Sequence, residues 1–325
     1  MSPHAQLSAT GTLLAVCLAT TGANAFCRAI TAEPPPGYDP SARGCFTPAS
    51  GSGSYELYWK NLCAGYSLQK EASPLRHITL DQATQIAAKA FAQWTGAACS
   101  GGAPSIQAAD QGPVSCGLVQ YNSSQSNQHV IVFRDEGWPY SDSSNTLGLT
   151  TITFDVSNGE IFDADMELNS HDYDFVAAPP VPSGSYDLAS VITHEAGHFL
   201  GLAHSDDTGA VMFAHYRPGE STLTKDDVGG ICSAYPHDGT RVTSSGALRG
   251  DKCDATPRHG FSTACASGDG GTGVQSSLVA DTWVSTNRRA CSVGGGAGAG
   301  SRHHGSWLLV AMAAAACPLR RRQRR

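Results

Sequence analysis

The chain has 325 residues, a formal net charge of −7 and only 15% charged residues. This length allows one good-sized domain with additional segments, or two small domains. A collagen is excluded because there is no Gly-X-Y period, and the body of the chain lacks the apolar runs of about 20 residues that a polytopic membrane protein needs. The acidic balance argues against nucleic acid as a partner, since phosphate binding needs a basic surface.

The first 25 residues predict a signal peptide. An apolar run from Leu13 to Ala19 is followed by small residues that end in Ala23-Asn24-Ala25. An Ala-x-Ala site directly after such a run is typical of cleavage, here before Phe26, and favours this interpretation over a short buried helix. We therefore expect the protein to be exported.

Residues 291–325 form a second targeting segment. Cys291 is followed by a Gly-rich spacer, an apolar stretch from Trp307 to Ala316 and an arginine cluster that ends at Arg325. This order resembles the C-terminal sorting tails of myxobacterial exported proteins, which implies removal near Cys291 and a mature protein that is displayed or released. A plain C-terminal membrane anchor is the alternative. Both interpretations predict export. We expect the membrane to be contacted only transiently, through this tail.

Export makes disulfide bonds plausible. The chain has 11 cysteines, and setting aside those of the two targeting segments leaves Cys27, Cys45, Cys63, Cys99, Cys116, Cys232, Cys253 and Cys265. Sequence does not fix the pairing, but the local pairs Cys99–Cys116 and Cys253–Cys265 are our expectation. No Cys-x-x-Cys is present, so a thiolate metal site is disfavoured.

The remaining chain predicts alternating strands and helices. Residues 26–54 are predicted to be an irregular Pro- and Gly-rich lead-in, and residues 238–290 a Ser/Gly-rich stalk or, alternatively, a small appendix tied by a disulfide bond. Strands are predicted at 55–68, 129–133, 150–154 and 160–168, the last two joined by a turn at 157–159. Helices are predicted from Asp81 to Gly96, from near Asp187, and from Lys225 to Tyr235 with Thr224 as N-cap.

The second helix contains the motif with the clearest chemistry, which runs from His194 to His204. His194 and His198 are four residues apart and lie on one helix face, where both imidazoles can bind one Zn²⁺. Gly201 can adopt a positive φ and turn the chain so that His204 becomes the third ligand. Three neutral histidines leave the fourth zinc position open, as in catalytic sites.

Glu195 lies beside the predicted metal and is not itself a ligand. Zinc lowers the pKa of bound water to about 7. Glu195 can then accept the proton from this water as it attacks a peptide carbonyl, and pass it to the leaving amine. The pattern predicts a zinc-dependent endopeptidase.

The motif His-Glu-x-x-His-x-x-Gly-x-x-His resembles that of the metzincin metallopeptidases. Ser205 after the third histidine is typical of the matrixin branch, and Met212 matches the matrixin Met-turn. The segments Ala90–Trp94 and Leu223–Tyr235 resemble the first and closing helices of these domains. The resemblance covers about residues 55–237 and implies an α+β fold with a twisted mixed sheet, mainly parallel with one antiparallel edge strand, and three main helices.

The same resemblance implies where a protein or peptide substrate binds. The edge strand at Leu147, Gly148 and Leu149 would pair with an extended peptide. The wall of the first prime-side pocket would be Phe213, Ala214, His215 and Tyr216, with Ala214 at a position where matrixins usually have proline. Tyr216 is alternatively a hydrogen-bond donor near the metal, and His215 alternatively a packing residue. The Asp226-Asp227 pair caps the third helix and in matrixins anchors the mature N-terminus.

Further metal sites are less favoured. The stretches 147–150 and 161–165 lack the histidines that hold the structural zinc of vertebrate-type matrixins, so we expect a single zinc. Asp163, Asp165 and Glu167 are hard oxygen donors and candidate Ca²⁺ ligands, but in a strand they alternate onto one face and could equally be solvated. No Pro-Arg-Cys-Gly latency motif is present. Cys45 is the nearest candidate for a thiolate ligand, although a disulfide bond is the stronger expectation.

We therefore predict an exported, monomeric zinc endopeptidase. The alternative is a non-catalytic surface or adhesion module that uses zinc as a structural staple. Glu195 argues against this alternative, because a structural site gains nothing from a carboxylate beside an open coordination position.

Overall fold

The computed structural model describes residues 25–35, 38, 43–50, 53–140 and 145–265, together with the backbone of residues 275–280. All of them belong to the first of two units, Met1–Thr286, and the second unit, Asn287–Arg325, lies outside the described residues. The sorting tail and almost all of the signal peptide are likewise outside them. Among the described residues, no helix has the length and apolar character that crossing a membrane requires.

The first helix, α1, runs from Leu80 to Thr95. Its N-cap is Thr79, which forms a capping box with Gln82, so the helix begins before the Asp81 that the sequence indicated. It ends at Gly96, as predicted. Apolar residues spaced three or four apart give it one buried face, formed by Ala83, Ile86, Ala87, Ala90, Phe91 and Trp94.

The other two helices begin where the sequence predicted. Helix α2 runs from Leu188 to Phe199, and the carboxylate of its N-cap Asp187 accepts hydrogen bonds from the first turn. Helix α3 runs from Lys225 to Ala234 with Thr224 as N-cap. Nearly every residue of α2 is buried, so this helix lies in the interior of the domain.

The strands form one main sheet and three two-stranded pairs. They are β1 (Cys27–Arg28), β2 (Cys63–Leu68), β3 (Gln107–Asp110), β4 (Val130–Phe133), β5 (Gly148–Phe154), β6 (Ile161–Leu168), β7 (Phe175–Val176), β8 (Tyr186–Asp187), β9 (Leu202–Ala203), β10 (Thr240–Thr243), β11 (Gly246–Arg249) and β12 (Gln275–Ala280).

The main sheet has the order β12-β5-β6-β4-β2-β3. Strands β3, β2, β4 and β6 are parallel to one another, and β5 is antiparallel to β6. This confirms the predicted α+β fold with a mainly parallel sheet and an antiparallel strand beyond it. One feature differs from the prediction. Strand β5 is not outermost, because β12 pairs with it on the far side.

Helices α1 and α2 pack against each other and against the sheet. The indole of Trp94 on α1 donates a hydrogen bond to the Thr193 carbonyl on α2, with an N···O distance of 2.8 Å. Phe91 stacks on Tyr66 of β2 and meets Phe199 of α2 edge to face. These contacts fix the position of the helix that carries the zinc motif.

Much of the segment predicted as a stalk is folded onto the domain. The side chain of Arg241 in the β10–β11 hairpin is fully buried. Its guanidinium donates hydrogen bonds to the carbonyls of Trp59 and Asn61, at 2.6 and 2.7 Å. Farther along, the Asp251 amide donates to the Lys60 carbonyl. The described part of residues 238–290 up to position 265 therefore extends the domain.

Four disulfide bonds link distant parts of the described chain: Cys27–Cys45, Cys63–Cys253, Cys99–Cys232 and Cys116–Cys265. Both local pairs expected from the sequence, Cys99–Cys116 and Cys253–Cys265, are wrong. Residues 253 and 265 are close in sequence, but Cys253 is bonded to Cys63 at the start of β2 and Cys265 to Cys116. The expectation that Cys45 forms a disulfide bond is confirmed.

Candidate active site

The three histidines of the motif lie together and buried. One ring nitrogen from each of His194, His198 and His204 lies within 4.8 Å of the other two. Helix α2 supplies the first two, and Gly201 turns the chain with a φ of +85° so that His204 follows β9 back to them. Any side chain at Gly201 would also collide with the Leu57 carbonyl, at 2.8 Å from an added Cβ.

Hydrogen bonds fix the orientation of two of these rings. Nδ1 of His194 is 2.6 Å from the Val211 carbonyl, and Nδ1 of His198 is 2.8 Å from the Leu202 carbonyl. A carbonyl oxygen can only accept, so each Nδ1 carries the hydrogen and each Nε2 presents its lone pair. The two Nε2 atoms face each other at 3.1 Å.

This donor set fits a zinc ion. Lone pairs that face each other at this distance repel, and a shared cation turns that repulsion into attraction. Buried imidazoles that are oriented by carbonyl hydrogen bonds are typical zinc ligands. Within the described part of the chain, this is the only group of three or more His, Cys, Asp or Glu residues gathered closely enough to hold a metal ion.

The Glu195 carboxylate is held beside the histidines by strand β5. The Thr150 hydroxyl donates a hydrogen bond to Glu195 Oε2 at 2.7 Å. Gly148 provides the space for the carboxylate, because a Cβ there would lie 2.6 Å from Oε1. Glu195 is fully buried. Its position is therefore determined by both α2 and β5.

Met212, the residue of the predicted Met-turn, packs against the histidine-bearing turn of α2. It is buried, and its Sδ occupies the space that a side chain at Gly197 would need. The Asp227 carboxylate on α3 accepts hydrogen bonds from the amides of Val211 and Met212, at 2.9 and 3.0 Å. Helix α3 thus holds the turn under the site.

Asp226, next to Asp227, binds the start of the described chain. Its Oδ1 accepts hydrogen bonds from the amides of Ala25 and Phe26, both at 2.9 Å, and its Oδ2 accepts one from the Ser205 hydroxyl. The Phe26 ring packs on α3, where a Cβ at Gly229 would lie 3.2 Å from it.

The predicted substrate-binding residues lie on two segments beside the site. Leu147, Gly148 and Leu149 begin strand β5, close to Glu195. Phe213, Ala214, His215 and Tyr216 follow Met212, and the rings of Phe213 and His215 are in contact. The Tyr216 hydroxyl accepts a hydrogen bond from the Asp187 amide at 2.7 Å, so this residue supports the start of α2.

The three candidate calcium ligands are buried and are bound to other protein groups. Glu167 pairs with Arg134 and accepts a hydrogen bond from the Tyr140 hydroxyl. Asp165 accepts hydrogen bonds from the amides of Val130 and Gln120. Calcium binding by Asp163, Asp165 and Glu167 stays a prediction that this geometry does not favour.

Asp163 on β6 belongs to a buried polar cluster with Asp165 and His129. Burial, and then the charge of Asp165, raises the pKa of Asp163 well above its usual range. The carboxylate lies 3.7 Å from Nε2 of His129, and burial lowers the pKa of His129 to about 4. Burial therefore favours the neutral form of both groups.

Sequence reasoning missed the residues that position Glu195. Thr150 lies in a predicted strand and belongs to no recognised motif. Its contact with Glu195 joins residues that are 45 positions apart in the chain. Gly148 was included as a substrate-binding residue, but the need for a glycine beside a carboxylate follows only from the packing. No local pattern in the sequence indicates either contact.

Comparison with known proteins agrees with this architecture. The family model for matrixin, Peptidase_M10, matches residues 58–236. Interstitial collagenase from Sus scrofa is 41% identical over 71 residues, which are 22% of this chain and 15% of the collagenase. Metalloendoproteinase 1-MMP from Arabidopsis thaliana is 36% identical over 102 residues, 31% of this chain and 26% of the relative.

A longer match extends over most of the domain. Matrix metalloproteinase-20 from Homo sapiens is 27% identical over 184 residues, which are 55% of this chain and 32% of that protein. The chain thus spans about a third or less of the length of these relatives. The family model covers more than half of the chain, and its limits enclose the main sheet up to β6, the three histidines and all three helices. This chain belongs to the matrixin family.

Proposed function

We propose that the protein is an exported zinc-dependent endopeptidase that hydrolyses peptide bonds of proteins. The observation that carries this proposal is the meeting of three buried histidines with a buried glutamate, the carboxylate of which is held by Thr150. The ligands are His194, His198 and His204. When bound there, zinc supplies a Lewis acid and an activated water.

In this proposal Glu195 moves the proton. Its carboxylate accepts a proton from the attacking water and delivers it to the leaving amine. The Thr150 hydroxyl bonds to Oε2 and fixes the plane of the carboxylate, which keeps the other oxygen directed along Gly148. Carbonyls of Val211 and Leu202 hold the Nδ1 hydrogens of two ligands and keep their Nε2 atoms directed at the metal.

The same arrangement argues against a structural staple. Burial of a carboxylate that takes no part in catalysis lowers the stability of the fold, because the ionised group loses its hydration. A staple of three histidines would need neither Glu195 nor its partner Thr150. The substrate is proposed to be a protein or peptide in extended conformation along β5, as the family of the relatives implies.

Export is supported by the four disulfide bonds, which persist in oxidising surroundings. The Asp226 contact is compatible with cleavage before Phe26, since the new ammonium group would form at the atom that Asp226 already binds. We further propose that the C-terminal sorting tail directs display or release, and that the mature protein is a monomer.

The test compares the purified wild-type protein with the variant Glu195→Ala. Zinc content is measured by elemental analysis, and cleavage of casein is measured with and without a chelator. We expect zinc in both proteins, chelator-sensitive cleavage by the wild type, and a loss of cleavage by about three orders of magnitude in the variant.

A matched variant, Glu71→Ala, removes an exposed carboxylate that pairs with Lys70, and it should keep full activity. Cleavage by Glu195→Ala at the rate of Glu71→Ala would refute the role of Glu195. A wild-type protein that binds zinc but cleaves no protein would favour the adhesion module.

A further inference from the structure

The last described segment of the chain covers the edge of the sheet that faces the active site. Strand β12 pairs with β5 in antiparallel orientation over six residue pairs, from Gln275 opposite Phe154 to Ala280 opposite Leu149. Between residues 25 and 265, the described chain leaves this side of β5 unpaired. The occupant of the edge is therefore the part of the chain that follows the domain.

The covered edge belongs to the catalytic apparatus. Val279 lies opposite Thr150, the residue that donates its hydroxyl to Glu195. The next pair, Ala280 with Leu149, lies one residue from Gly148, which packs on the same carboxylate. The end of β12 thus reaches the level of Glu195 along β5.

A second strand cannot use an edge that is already paired. A peptide that pairs with β5 at Leu147–Leu149 and continues along the strand needs the outward N–H and C=O groups from Leu149 onward. Strand β12 already uses this row from Leu149 to Phe154. Binding of β12 and binding of a peptide along this edge are therefore mutually exclusive.

The covalent link makes β12 a strong competitor. The Cys116–Cys265 disulfide fixes the chain to the domain ten residues before Gln275. A short tether of this kind gives an effective concentration of about a millimolar, so weak strand pairing suffices to occupy the edge. The sequence of β12, Gln-Ser-Ser-Leu-Val-Ala, has no charge and no proline that would oppose strand formation.

From these relationships we infer that β12 inhibits the protein in cis by occupying the substrate-binding edge of β5. The inference rests on the proposed endopeptidase function for its effect on catalysis, but the occupancy itself does not. Displacement or proteolytic removal of the chain after Cys265 releases the edge. The inhibition is competitive, because it acts on peptide binding and leaves the histidines and Glu195 in place.

The test uses two proline variants of the full chain, Ser277→Pro and Leu278→Pro. Alternate residues of an antiparallel strand direct their N–H groups to the partner, so one of these two neighbours donates to β5 and the other points away. Proline removes the N–H in both. Each variant is therefore the matched control of the other.

Two quantities are measured on the wild type and both variants. Hydrogen exchange of the β5 amides 149–154 reports occupancy of the edge whether or not the protein is active. The KM for a peptide substrate reports competition. We expect one variant to lose exchange protection in β5 and to show a KM lower by about tenfold with an unchanged kcat, while the other stays close to the wild type.

The inference is overturned if neither variant changes the exchange of β5, or if protection is lost and KM stays the same. If neither the wild type nor either variant cleaves the peptide, the proposed function fails. Displacement of β12 is then measured by hydrogen exchange and by peptide binding to β5. Peptide binding that is equally weak in all three proteins would also reject the inference.

Discussion

Gly197 and Met212 are packed so closely that a Cβ on the glycine would overlap the methionine Sδ. Gly197 lies between the two zinc-motif histidines of α2, and Met212 lies on the turn that Asp227 holds. The packing of these two residues therefore determines the distance between the histidine-bearing turn of α2 and the Met-turn.

Replacement of Gly197 by alanine should damage this contact. The added methyl group also meets the Trp94 ring at 2.8 Å, so either the sulfur or α2 must move. We expect a loss of about 2 kcal/mol in the free energy of unfolding, together with weaker zinc binding. Urea denaturation and zinc titration measure both. Gly137→Ala, where an added Cβ meets nothing within 4 Å, should be neutral; equal effects in the two variants would contradict the packing argument.

Thr150→Val should impair catalysis while zinc binding is retained. The substitution keeps the shape of the residue and removes the hydroxyl that donates to Glu195 Oε2. The loss of one charge-assisted hydrogen bond should lower kcat by about tenfold, with a smaller effect on KM and a shift of the pH profile. Thr150→Ser retains the hydroxyl and should recover most of the rate. An inactive Thr150→Ser beside an active Thr150→Val would show that the hydroxyl is not the determinant.

Asp163→Asn should stabilise the protein increasingly as the pH rises. The folded-state pKa of Asp163 lies above its ordinary value of 3.8. Its contribution to stability is therefore full below pH 3.8 and is lost as the pH rises toward the folded pKa. Asparagine does not ionise, so the variant should gain about 1 kcal/mol or more on the wild type at pH 8, and less at pH 5. Urea unfolding at several pH values tests this; a difference that is independent of pH would contradict it.

The contact between Phe26 and Asp226 predicts an effect of N-terminal processing. A chain that starts at Phe26 has an ammonium group where the amide now donates to Asp226 at 2.9 Å, and this charge strengthens the interaction. We expect such a chain to be about 1 kcal/mol more stable than one with two added alanines. The gain should vanish in Asp226→Asn. In the wild type it should decline as the pH rises from about 8, the ordinary pKa of the amine, through the higher pKa that the contact with Asp226 gives it. An equal gain in Asp226→Asn would place its origin elsewhere.

The sequence predicted best what local chemistry determines. Thr224 and Asp187 cap their helices through side chains that lie within three residues of the amides they bind, and both helix starts are confirmed. Helix α1 begins one residue before the predicted Asp81, because Thr79 forms a capping box with Gln82 and is the N-cap. The strand predicted from residue 55 begins only at Cys63 as a continuous element.

Features that depend on distant contacts were not predictable. The disulfide partners are separated by 18 to 190 positions, and no spacing rule selects them. The buried Arg241 binds carbonyls about 180 positions away, which is why residues 238–265 looked like a stalk in a sequence rich in Ser and Gly. The pairing of β12 with β5 likewise has no local signal.

The measurement that tests the central claim most directly is the zinc content of the purified protein and of the variant His204→Ala, with His171→Ala as a control on an exposed histidine. We predict one equivalent of zinc in the wild type and in His171→Ala, and a loss of at least tenfold in zinc affinity in His204→Ala. A His204→Ala protein that holds zinc as tightly as the wild type would contradict the three-histidine site.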